Sequence, residues 1–138
     1  MATSDLLNDI RALLLEFESV TNLVGQRIRP HEPDSDDGDR DVILLDLPDS
    51  DENNLLSGQT IINAELVIRT RSTDKTQATV IANAVRKAIH GYSGDAGDGN
   101  LIECLRTEFS ESEFDDEDDD NDGYFETESL YPVWYQAS

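Results

Sequence analysis

The chain has 138 residues and a mass of 15.4 kDa, a length that fits one domain spanning residues 1–138. Its 31 acids against 10 bases leave a formal charge of −21, which excludes a surface built to neutralise a run of phosphates and excludes docking on anionic lipid. No apolar run approaches the ~20 residues of a membrane span, no basic leader precedes an apolar stretch, and the lone Cys104 excludes an internal disulfide and any multi-cysteine metal site.

The first predicted element is a helix. Leu6, Ile10, Leu13, Leu14 and Phe17 recur at helical spacing, Ser4 is placed to cap it, and Asn8, Asp9, Arg11, Glu16 and Glu18 form the solvated side. Leu23 and Val24 carry the pattern into a turn ended by Gly25, and Gln26 to Arg29 reads as a short extended piece stopped by Pro30. Residues 31–41 are a loop of Pro, Asp, Ser and Gly. Asp41 to Leu47 is an apolar run of strand length closed by Pro48, and 49–54 is a polar connection. Two leucines, Leu55 and Leu56, stand out beside it.

A longer strand runs from about Thr60 to Arg71. Ile62, Ala64, Leu66 and Ile68 alternate with Asn63, Glu65, Val67 and Arg69, so one face is covered and the other partly wet. Thr73 and Asp74 are caps for a second helix ending near His90. Its buried stripe is Ala78, Ile81, Ala82, Val85 and Ile89, its exposed side holds Lys75, Asn83, Arg86 and Lys87, and Gly91 stops it. Residues 91–99 read as a glycine-rich loop, Leu101 to Phe109 as one strand, and 110–123 as an acidic loop. Tyr124 to Tyr135 is a closing strand rich in aromatics. Two helical stripes must share one face of a mainly antiparallel sheet, which gives an α+β two-layer sandwich.

The residues offer no catalytic constellation. His31 lies in an acidic loop, His90 sits at a helix end where a cation is favoured, and Cys104 falls inside a strand as a small buried hydrophobe. No serine occupies a G-x-S-x-G turn, and no glycine-rich phosphate loop with a following lysine is present. Asp118, Asp120, Asp122 and Gly123 match the first half of a calcium loop. Ser129 stands where the bidentate glutamate belongs, and the flanks read as strands, so neither a metal site nor a cofactor site is assigned. The aromatics Tyr124, Phe125, Tyr131, Trp134 and Tyr135 have no basic residue among them to make a base-stacking platform, which leaves packing as their role. Aspartate outnumbers glutamate, and Lys75 and Lys87 are the only lysines. That composition fits either a surface adapted to high salt or a generic solubilising one.

The order of elements resembles the tail terminator, or tail completion, proteins of long-tailed phages and related viruses. The resemblance rests on an amphipathic helix ending in L-V-G-Q-R-I-R-P (Leu23 to Pro30), a strand near Val42 to Leu47 and the A-E-L-V-I strand (Ala64 to Ile68). It continues through I-A-N-A-V-R-K-A-I-H-G (Ile81 to Gly91) and L-Y-P-V-W-Y (Leu130 to Tyr135). The heavy acid content and the long acidic insertion depart from the family pattern. The resemblance implies a non-enzymatic virion protein that forms a ring, commonly a hexamer, at the head–tail junction after assembly in the host cytoplasm. Such a ring caps the tail tube protein and meets a head-side connector protein, and DNA passes its acidic lumen without specific binding. Leu55, Leu56, Thr60 and Ile62 are the candidate subunit or tube interface, with the Thr60 strand pairing across subunits if it lies at a sheet edge. The rival readings are an acidic DNA mimic that occupies a basic partner, and a calcium-dependent binding module.

Overall fold

The computed structural model describes residues 3–33, 37, 40–54, 60–97, 99–114 and 124–137, with the side chains of 3–5, 49–54, 60, 100, 102, 103, 113, 114 and 137 left aside. Two helices come first, α1 (Thr3–Leu15) and α2 (Glu18–Val24), where one was expected. The break is Phe17, whose extended backbone (φ −98°, ψ 112°) interrupts the helical ladder while its ring stays packed against the core. α1 starts at Thr3, so Ser4 lies inside its first turn. Gly25, at φ +61°, ends α2.

β1 (Ile28–Pro30) then pairs in parallel with β2 (Val42–Asn54), Ile28 opposite Ile43. The expectation of antiparallel pairing between loop-joined strands fails at this one place. The loop of residues 31–41 is long enough to return the chain to the same end of the sheet. β2 also runs on past Pro48, where the sequence pattern had closed it. The ladder shifts register between Asp46 and Asp49, and such a bulge accommodates a residue with no N–H to donate. Residues 49–54 are therefore strand, paired along β3 (Thr60–Ser72).

α3 (Lys75–Ile89) follows as expected. The Asp74 side chain accepts the Thr76 N–H at 3.0 Å, and Gly91 past its end takes φ +78°. The expected loop after it contains a short strand, β4 (Gly94–Ala96), paired with β5 (Gly99–Cys104). The single strand predicted over 101–109 is two, β5 and β6 (Glu108–Phe114), so the start of the expected acidic loop, through Phe114, is strand. Both lie along one side of β7 (Tyr124–Ala137), whose other side pairs with β3 over its whole length. The interruption at 105–107 has a cause. Leu130 accepts the Thr107 N–H, so Pro132, two residues on, turns its missing donor toward the same side.

The sheet order is β1-β2-β3-β7-β5-β4, with β6 also on β7. Ile62, Ala64, Leu66 and Ile68 of β3, Ile43 and Leu45 of β2, and Tyr131, Val133 and Tyr135 of β7 share one core with the apolar stripes of all three helices. The helices thus cover one face, and the α+β sandwich stands. The opposite face carries Ile61, Val67, Leu130, Pro132 and Trp134, the last 42% exposed. Val42 and Leu44 lie on that face too yet are buried. Next to Leu44 in the ladders, Arg29 grips the buried Asp37 through Nη2 at 3.0 Å and Nε at 3.3 Å, and Arg69 donates to the His31 carbonyl at 2.8 Å.

Candidate functional site

Catalytic chemistry needs groups that converge, and the described candidates are dispersed. His31 pairs through Nδ1 with Asp46 at 3.0 Å on an exposed loop. His90 caps α3, and its Nδ1 accepts the Arg106 N–H at 2.9 Å. Through this bond the imidazole joins α3 to the 105–107 turn. Cys104 is buried within β5, and desolvation pushes its thiol up to about 12. A thiol held protonated there is inert as a nucleophile. Among the described residues, no three His, Cys, Asp or Glu side chains gather where they would hold a metal ion. Asp118, Asp120 and Asp122 lie outside the described residues. A cleft of about 210 Å³ between the start of α3 and the β6–β7 ladder is lined by Lys75, Thr79, Glu111 and Glu126 among others, with no histidine or cysteine.

The polar groups that are buried serve the architecture. Asp9, expected on the solvated side of the first helix, is buried and accepts the Tyr135 hydroxyl across the core. Glu126 on β7 lies directly opposite Arg71 on β3; Arg71 reaches it at 3.1 Å and Arg69 at 3.6 Å. Arg71 also stacks 4.1 Å over the Tyr124 ring. Thr70 and Thr127, partners in the same ladder, share a hydrogen bond under α3, and Thr70 also donates to the Ala78 carbonyl at 2.8 Å. Periodicity could not reveal these pairs, because each joins residues far apart in the chain.

What remains is surface, and the predicted interface residues fall in three settings. Leu55 and Leu56 lie outside the described residues. Thr60 opens β3, paired to Asn54 on one side and Ala137 on the other. Ile62 is in the chain's own core. β3 is an interior strand, so its backbone has no ladder left to offer a neighbour. The strands with a free side, among those described, are β1 and the outer half of β2 beyond it at one edge, and β4, the part of β5 beyond β4, and β6 at the other.

Residues 8–129 match the family described as Tail completion protein gp17. The chain belongs to this family. Its shape is also similar to a chain of a solved structure titled "Virion of native gene transfer agent (GTA) particle", with a TM-score of 0.66 at 15% identity. That match covers 96% of this chain and 95% of the other, and at such identity it speaks for the fold alone. No curated protein matches the sequence. Membership of the tail completion family makes the chain a structural protein of a virion tail, and it accounts for polar clusters that brace strands instead of converging on a substrate.

Proposed function

We propose that the chain assembles into a ring, probed first as a hexamer, that ends the tail tube and joins it to the head-side connector. The observation that carries this reading is the one-sided layering in a tail completion family member. Helices cover one face of the sheet, while the other face and the free strands of β2 and β6 are left for neighbours. Two separate strand edges suit a head-to-tail contact, the geometry that closes rings. The end of the β2–β3 hairpin, with Leu55 and Leu56 in its connection and Thr60 at its base, is proposed to meet the adjoining subunit or the tube; Ile62 anchors that base from within. The charge of −21 suits a lumen through which DNA passes without sticking. One domain over residues 1–138 and a place at the head–tail junction belong to the same proposal.

Electron microscopy of particles made without the chain tests it. Tails of irregular length that fail to join heads are expected, and uniform tails joined to heads overturn the reading. Native mass spectrometry of the chain, alone and with tube protein, gives the ring size.

A further inference from the structure

We infer that a small monovalent anion, of the size of chloride, binds inside the folded chain between the Arg106 guanidinium and the Tyr131 hydroxyl. The site lies within one chain and does not depend on the ring reading. Two atoms carry the inference. Arg106 Nη1 and Tyr131 Oη are buried and find no hydrogen-bond partner among the described residues, and Tyr131 has no exposed surface at all. A buried donor without a partner has given up its water for nothing, so folded chains satisfy nearly all such groups.

The fold brings the two donors to one place. Cys104 pairs with Val133 and the Thr107 N–H reaches the Leu130 carbonyl, so Arg106 lies on the 105–107 turn alongside Tyr131. Its backbone is bonded to His90 at the end of α3, and its guanidinium stacks 4.7 Å over Phe109. Arg86 stands one helical turn before His90, on the same flank of α3. Burial raises the Tyr131 hydroxyl to about 12, while Arg106 draws it down, Cys104 pushes it up and Arg86 draws it down. All three side chains are therefore within electrostatic reach of Tyr131 Oη.

The groups gathered there are donors. Arg106 Nη1 can only donate, the Tyr131 hydroxyl has a proton to place, and the Cys104 thiol, pushed up to about 12, keeps its own. A water accepting from Arg106 and Tyr131 would still need acceptors for its two protons. The acids in reach by sequence do not supply them. Glu103 and Glu108 are in register with Trp134 and Leu130, residues of the opposite sheet face, and Glu111 is taken by the Thr79 hydroxyl two turns back along α3. An anion needs only donors, and Arg86 and Arg106 form no ion pair among the described residues to compete with it. The occupant is small because Tyr131 Oη is fully buried, which bars a carboxylate carried on a neighbouring chain. Its way in is past Arg106, where Leu105 and Phe109 are 40% and 37% exposed. The net charge of −21 repels anions at long range, but salt screens that repulsion beyond about 10 Å while the donors act at contact.

The test compares sodium chloride with sodium gluconate at one ionic strength, since gluconate is too large to enter. Wild-type chain is expected to melt about 4 °C higher in chloride once chloride exceeds its Kd about tenfold. Tyr131→Phe and Arg106→Gln should abolish that gap, with circular dichroism unchanged. Tyr131→Phe also reverses sign. It destabilises in chloride, where a bonded hydroxyl is lost, and is neutral or stabilising in gluconate, where the hydroxyl it removes has no partner. The chloride NMR line should broaden with folded wild-type chain and sharpen again with Arg106→Gln. A Tyr131→Phe effect equal in the two salts, whichever its sign, overturns the anion site, as does a wild-type chain that neither broadens the chloride line nor distinguishes the salts. Should Arg106→Gln fail to fold, the Tyr131→Phe comparison decides alone, because it removes a single oxygen atom.

Discussion

The Tyr135 hydroxyl, near the end of the last strand, donates to the buried carboxylate of Asp9 on the first helix. The two residues are 126 positions apart, so this bond closes the core between the ends of the chain. It also tethers α1 on the side of the sheet occupied by β5 and β4. Replacing the donor by Tyr135→Phe deprives a buried acceptor of this partner and is expected to cost about 1–3 kcal/mol. The urea midpoint of the Phe variant, with an unchanged m-value, is the measurement.

Two glycines make room for that bond, and they set the second prediction. A Cβ at Gly97 would press on Asp9, including its Cα at 2.9 Å, and a Cβ at Gly99 would meet the Tyr135 ring and hydroxyl. Gly97 also stands at φ +56°. Gly97→Ala and Gly99→Ala are expected to cost about 2–4 kcal/mol through overpacking, with backbone strain added at Gly97. Gly91→Ala is the control. Its φ is +78° but nothing lies within 4 Å of the added methyl, so strain alone gives about 1 kcal/mol. Equal losses at all three positions, by thermal or urea unfolding, would contradict the account.

Glu126 offers a third test. It is nearly buried between Arg69 and Arg71, which are themselves about a quarter exposed. Glu126→Ala strands two guanidinium groups that keep partial access to water, so the expected loss is about 1–3 kcal/mol, below that of a fully buried ion pair. A double-mutant cycle with Arg71→Ala should return a coupling of about 1 kcal/mol, and additivity would place the stabilisation elsewhere.

Alkaline pH gives the fourth. Desolvation raises the Cys104 thiol from 9.0 to about 12, and it raises the Tyr131 hydroxyl from 10.0 to about 12. Both groups therefore keep their protons in the folded chain at pH values where the unfolded chain loses them. Their contribution is complete below pH 9 and is lost as pH rises through 9–12, steepest above 10 where both act. Cys104→Ala should flatten the early part of that decline. At pH 8 an aromatic disulfide reagent is expected to leave the folded chain untouched and to titrate one thiol in urea; rapid reaction without denaturant would show an accessible thiolate.

The elements legible in the sequence were those whose signal is local. The stripes of α1 and α3, the Asp74 cap, the Gly91 stop, the alternation of β3 and the aromatic run of β7 all depend on neighbours within a few residues, and the ordered series of motifs was enough to name the family. Periodicity was silent on polar strands. Residues 49–54 and 110–114 have little intrinsic strand preference, and they extend because the long strands β3 and β7 present ladders for them to pair with. Pro132 set the break between β5 and β6 from across the sheet, where a scan along 101–109 could not sense it. The partners of the buried Asp9 and Glu126 were likewise invisible in their own segments, since a carboxylate tolerates burial only when a distant donor comes to meet it. The sequence by itself thus determined the apolar stripes of α1 and α3 and the central strands. The tertiary structure alone decided which strands are interior and which edges stay open, because these follow from contacts between residues that the chain keeps far apart.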